Sequence, residues 1–114
     1  MRFLIADDDE LVRLGTQSLL ESVGHQVVAV DDGDQVIQRL AAGEEYDAVI
    51  TDYSMKITNG DEVLRWIRND PRCREMKVFV LSGYDVREQI SELGGEYIDK
   101  IHPEILMEKI RQLS

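Results

Sequence analysis

The sequence predicts a three-layer α/β sandwich, one parallel sheet with helices on both faces. Three observations carry this. Short apolar runs alternate five times with stretches of helical periodicity. Each helical stretch has one apolar stripe and so needs one surface to cover. Connections of this length join parallel strands through right-handed crossovers. At 114 residues the chain is expected to form one domain, residues 1–114, with no internal repeat, low-complexity segment or Pro/Ser-rich linker.

The strand-like runs are residues 3–6, 27–30, 48–51, 78–81 and 96–98. Between the first two, Leu11, Val12, Gly15, Leu19 and Val23 are expected to share the buried face of a helix. Val36, Ile37, Leu40 and Ala41 do the same in the second helix, Val63, Leu64 and Ile67 in the third, and Ile105, Leu106, Ile110 and Leu113 in the last. The segment "YDVREQISELGG" predicts a short fourth helix. Asp85 with Glu88 three residues on resembles a capping box, Val86, Ile90 and Leu93 form its stripe, and Gly-Gly stops it.

Apolar residues make up 43% and charged ones 32%, a composition that folds. No apolar run approaches the roughly 18 residues of a membrane span, and the start "MRFLIADDDE" is too acidic for a signal peptide. The single Cys73 permits no internal disulfide. A cytoplasmic location is expected. A net charge of −10 disfavours direct binding of nucleic acid or of anionic membranes.

In open parallel sheets, functional groups gather beyond the carboxyl ends of the strands. Here the first strand runs into Asp7, Asp8 and Asp9, the third ends in Asp52, the fourth in Ser82 and Gly83, and the fifth near Lys100. Asp9 precedes a helix and is assigned as its N-cap. If Asp7, Asp8 and Asp52 lie about 5 Å apart, each like-charge pair costs about 3 kcal/mol at an effective dielectric near 20. A hard divalent cation relieves that repulsion without giving up the charge, and Mg²⁺ suits a few carboxylates, a carbonyl and water. Lys100, the Ser82 hydroxyl and the Gly83 amide add positive charge and donors, which together make a receptacle for a phosphoryl group.

These residues resemble the receiver domain of response regulators, over essentially the whole chain. The acidic pair Asp7 and Asp8 matches, as do Asp52, Met55, Gly60 eight residues beyond Asp52, Ser82 thirty beyond it, Lys100, and Tyr97 three before Lys100. The resemblance implies a flavodoxin-like sheet of order 2-1-3-4-5. It implies that Asp52 accepts a phosphoryl group from a phosphohistidine on a sensor histidine kinase or phosphotransfer protein. By the same resemblance Asp8, Asp52 and the backbone carbonyl of Ser54 bind Mg²⁺, and Asp7 holds a metal-bound water. Lys100 and Ser82 contact the phosphoryl group. Ser82 and Tyr97 form a switch, read by an output protein or domain on the face of the fourth helix, fifth strand and fifth helix, with a homodimer on phosphorylation as one outcome. Such a protein catalyses its own phosphorylation and slow autodephosphorylation and is not a turnover enzyme.

The chain departs from the family pattern in three places. Lys56 stands where proline is usual, which predicts a looser loop. "KIHPE" replaces a Lys-Pro bond that is often cis, so the bond before Ile101 is expected to be trans and the loop reshaped, with Pro103 as the first residue of the last helix. Lys100 follows Ser82 by eighteen residues, about one helical turn fewer than usual. These departures keep open a degenerate receiver acting as a phosphorylation-independent interaction module. An aspartate-nucleophile phosphatase built on Asp7 and Asp9 is opposed by Glu10, where glycine is needed, and by the short chain. A flavin-binding module is opposed by the anionic turn "ADDDEL".

Overall fold

The computed structural model describes residues 1–113; Ser114, the last residue of the expected domain, lies outside the described residues. The chain alternates β1 (Arg2–Ala6), α1 (Glu10–Ser22), β2 (Gln26–Val30), α2 (Gly33–Ala41), β3 (Ala48–Asp52), α3 (Gly60–Asn69), β4 (Lys77–Ser82), α4 (Arg87–Glu92), β5 (Glu96–Asp99) and α5 (Pro103–Arg111). All pairings are parallel and the strand order is β2-β1-β3-β4-β5, as expected. β1 sends its crossover to one side and β3 lies on the other, so a crevice opens beyond their carboxyl ends.

Strand alternation divides the core in two. Leu4, Ala6, Val49, Val78 and Val80 pack on one face of the sheet with Val36 and Leu40 of α2, Val63, Leu64 and Ile67 of α3, and Ile90 of α4. Phe3, Ile5, Ala48, Ile50, Phe79, Leu81 and Ile98 pack on the other with Leu20 of α1 and Leu106 and Ile110 of α5. The same alternation carries Asp7, two residues past Ile5, and Asp52, two past Ile50, towards the α1 side.

The α1 face differs from the expected one. Leu20 is its one fully buried residue, whereas Leu11 (81% exposed), Leu14, Leu19 and Val23 face solvent. Of the expected face Leu11, Val12, Gly15, Leu19 and Val23, only Val12 belongs to the stripe Val12–Thr16–Leu20 that meets the sheet, and the other four lie one position, about 100° of rotation, from it. Hydropathy cannot separate two adjacent stripes of equal spacing. The rotation is fixed instead by Leu20 in the core and by Arg13, whose Nη1 donates to the Asp7 carbonyl at 2.8 Å.

α4 is six residues long, short as predicted, but it has no side-chain cap: Val86 is at its N-cap, and Asp85 accepts the Arg87 N–H at 3.1 Å in a local turn. Glu62, by contrast, reaches back to the Asn59 N–H at the start of α3. Gly94, at φ +78°, ends α4. Pro103 is the first residue of α5, and there is no cis peptide bond among the described residues.

Candidate functional site

β1 delivers Asp7 into the crevice, where the amide of Asp7 still reaches the Val30 carbonyl at 3.2 Å. The chain then turns sharply. Asp7 Oδ1 accepts the Asp9 N–H at 2.9 Å, and Asp9 caps α1 by accepting the Leu11 and Val12 N–H groups at 3.0 and 3.2 Å. This turn leaves Asp8 exposed at the rim. Across the crevice β3 ends in Asp52, and the Tyr53 N–H continues the sheet bonding to the Leu81 carbonyl. Asp7, Asp8 and Asp52 each offer a carboxylate oxygen, all within 4.8 Å of one another.

Lys100 enters from the end of β5. Its N–H donates to the Ser82 carbonyl at 2.9 Å, which extends the β4–β5 pairing by one step. Its Nζ lies 3.0 Å from Asp52 Oδ2 and 3.5 Å from Asp7 Oδ2. The turn after it is closed by Asp99, which accepts the Ile101 N–H through its side chain and the His102 N–H through its carbonyl. Isoleucine in place of proline therefore leaves Lys100 on the acid cluster.

Burial pushes the Asp52 carboxyl above its ordinary value; the Lys100 ammonium pulls it down and the Asp7 charge pushes it up again. Asp7 is raised for the same reason, against the Asp9 N–H and Lys100. Burial pulls Lys100 down, but the bond to Asp52 and the charges of both aspartates outweigh it and hold it protonated above its usual range.

Ser82, 3% exposed, accepts the Tyr84 N–H on Oγ at 3.0 Å. Gly83 beside it is exposed. Tyr97 is half-buried on β5, in register with Val80 two residues before Ser82, and the Arg87 guanidinium lies 5.3 Å from its ring centre. Ser54 is exposed in the loop, two residues past the end of β3. The structure thus gathers Asp7, Asp8, Asp52 and Lys100 into one cluster and ties the Ser82 backbone to it, while Tyr97 and Ser54 sit on the flanking segments.

Three carboxylates and one ammonium leave two negative charges, the balance that one divalent ion cancels. The three oxygens lie within 4.8 Å of one another, close to the roughly 4.2 Å that separates opposite ligands about 2.1 Å from one Mg²⁺, which suits two direct carboxylates with the third acting through a water. The donor set therefore fits magnesium.

Two residues escaped the sequence reading. Arg13 holds the Asp7 carbonyl. Asp32, 4% exposed at the end of β2, accepts the Ile57 and Thr58 N–H groups of the loop after Asp52, at 3.0 and 2.8 Å. The one signal for Asp32 was its place before Gly33 at a strand end, which is also the signature of an ordinary turn.

The family model of the response regulator receiver domain matches residues 3–111. The chemotaxis protein CheY of Pseudomonas aeruginosa is 29% identical, over 99% of this chain and 95% of its own length. The sensory/regulatory protein RpfC of Xanthomonas campestris pv. campestris is 46% identical over 68 residues, 60% of this chain, and the chain spans 9% of RpfC's length. CheY4 of Vibrio cholerae superposes with a TM-score of 0.88 at 20% identity, over 99% of this chain and 98% of that one, which speaks to the fold alone. The response regulator TrrA of Thermotoga maritima, solved in complex with Mg²⁺ and BeF, superposes with a TM-score of 0.87 at 27% identity, over the same shares. From the first strand to the last helix, then, the chain belongs to the response regulator receiver domains of two-component signalling.

Proposed function

We propose that Asp52 accepts a phosphoryl group from a phosphohistidine of a sensor histidine kinase or phosphotransfer protein. Mg²⁺ is held by Asp8, Asp52 and the Ser54 carbonyl, with Asp7 oriented to it through water, and the change is passed to an output protein or domain. The observation that carries this is the cluster itself: three carboxylates within one ion's reach, two of them buried, facing one lysine.

An Asp52 oxygen attacks phosphorus, the P–N bond to the imidazole breaks, and the ring nitrogen keeps the bonding pair. The product is an acyl phosphate on Asp52. Bound Mg²⁺ supplies charge neutralisation for the oxygens of the phosphoryl group. Lys100, whose ammonium already sits on Asp52, is in reach of a phosphoryl oxygen once one is attached there. The Ser82 hydroxyl donates to a second, and the exposed Gly83 amide borders the same position. The added charge of about 1.5 to 2 units draws Ser82 inward, Tyr97 follows, and the face of α4, β5 and α5 changes for its reader.

The complex of the similar TrrA with Mg²⁺ and BeF supports the same ligand pair here. A degenerate, phosphorylation-independent module has less in its favour, because a chain without phosphotransfer has no need to keep three carboxylates this close.

The test is an amide NMR titration with Mg²⁺ and beryllofluoride. Shifts are expected around Asp52, Ser82 and Tyr97, and Asp52→Asn abolishes them. No shift at millimolar magnesium would leave only the interaction module.

A further inference from the structure

The connection from β3 to α3, residues 53–59, starts at Asp52 and carries Ser54 and Lys56. None of its residues is a proline, so its sequence does not restrict its own backbone. Bonds from within it fix one end. The Gly60 N–H donates to the Tyr53 carbonyl at 2.8 Å, and Asn59 Oδ1 accepts the Met55 N–H at 2.9 Å. A Cβ on Gly60 would lie 2.5 Å from the Asp52 carbonyl, so helix and strand end meet there with no space to spare.

The outer part of the loop is held from another segment. Asp32 Oδ1 takes the Thr58 N–H at 2.8 Å and Oδ2 the Ile57 N–H at 3.0 Å, one carboxylate oxygen for each of two consecutive amides. The approach is possible because Gly33 follows: a Cβ there would sit 2.5 Å from the Thr58 carbonyl and 2.6 Å from Val63 Cγ2. A buried carboxylate that accepts several backbone N–H bonds stays ionised, and Asp32 does so, with burial outweighed by the amides of Thr58, Ile57, Gly33 and Asp34. The Asp32 side chain bonds to the loop, whereas Asp52 and Lys100 bond to each other and Lys100 pairs with Asp7.

We propose that Asp32 is a positioning residue for the metal and phosphoryl site. Its two-pronged hold on residues 57–58 fixes the loop that runs on from Asp52 and carries the Ser54 carbonyl. This rests on the reading that Mg²⁺ binds there. Groups that orient metal ligands from outside the ligand set typically alter affinity by about tenfold or more when removed.

Two measurements on wild type, Asp32→Ala and the milder Asp32→Asn test it. In amide hydrogen exchange without metal, exchange at residues 54–59 rises in both variants, more in Asp32→Ala, while β4 is unchanged. In magnesium titration by NMR on the folded protein, the Kd of Asp32→Ala is about tenfold weaker than wild type, and Asp32→Asn, which keeps one acceptor, lies between. Unchanged loop exchange overturns the clamp whatever the metal does. Faster loop exchange with an unchanged Kd overturns the link to the site. A wild type that takes up no magnesium sinks the metal reading and this inference with it, and is told apart because the exchange result stands independently.

Discussion

Asp7 and Asp52 are nearly closed off from solvent, at 6% and 7% exposure, and share one ammonium between them. Both carboxyls are raised above their ordinary 3.8 by burial. In metal-free protein they therefore stabilise the fold while protonated, below 3.8, and that contribution is lost as pH rises through their raised values. Metal uptake has the opposite sign, since the ligands must be ionised. Magnesium titrations at a series of pH values are expected to show affinity climbing with pH through a window above 3.8; a half-point at or below that value contradicts the burial argument. Asp32 runs the other way, with its amide-held charge adding stability above 3.8 that is lost as pH falls through its lowered value. In acid unfolding, Asp32→Asn loses that limb. The acids and Lys100 were legible in the sequence because they end apolar runs. Arg13 and Asp32 were not, because their partners are backbone groups, which carry no residue identity, and those of Asp32 lie 25 and 26 positions away.

At the level of elements, the five strands and five helices follow from periodicity, but the rotation of α1 does not. Leu20 is fully buried against Phe3 and Ile5, whereas Leu11 is 81% exposed. Leu20→Ala is expected to cost about 2–5 kcal/mol in denaturant unfolding, and Leu11→Ala about 0.5 kcal/mol or less. Equal losses would mean that α1 faces the sheet with the stripe hydropathy first suggests. α3 gives a second test. Gly60→Ala puts a methyl 2.5 Å from the Asp52 carbonyl, so a loss of about 1–3 kcal/mol is expected, together with shifted Asp52 and Tyr53 amides. The start of α4 misled the sequence reading because Asp85 and Glu88 have capping spacing, yet Asp85 spends its carboxylate on a local turn.

Across the whole molecule, the order β2-β1-β3-β4-β5 turns four separated segments into one site, since β1 and β3 are neighbours and β4 and β5 follow outward. The order came from the resemblance; alternation alone gave only a parallel sheet with two covered faces. What the topology builds is a net charge of minus two at one site, within a chain whose total net charge is −10, a place for a divalent cation and then for one phosphoryl group. The most direct measurement is intact and peptide mass spectrometry after incubation with acetyl phosphate and magnesium. The account predicts one added phosphoryl group, located on Asp52, absent when magnesium is chelated and absent in Asp52→Asn. An unmodified protein, or a phosphoryl group on Asp7 in its place, would contradict it.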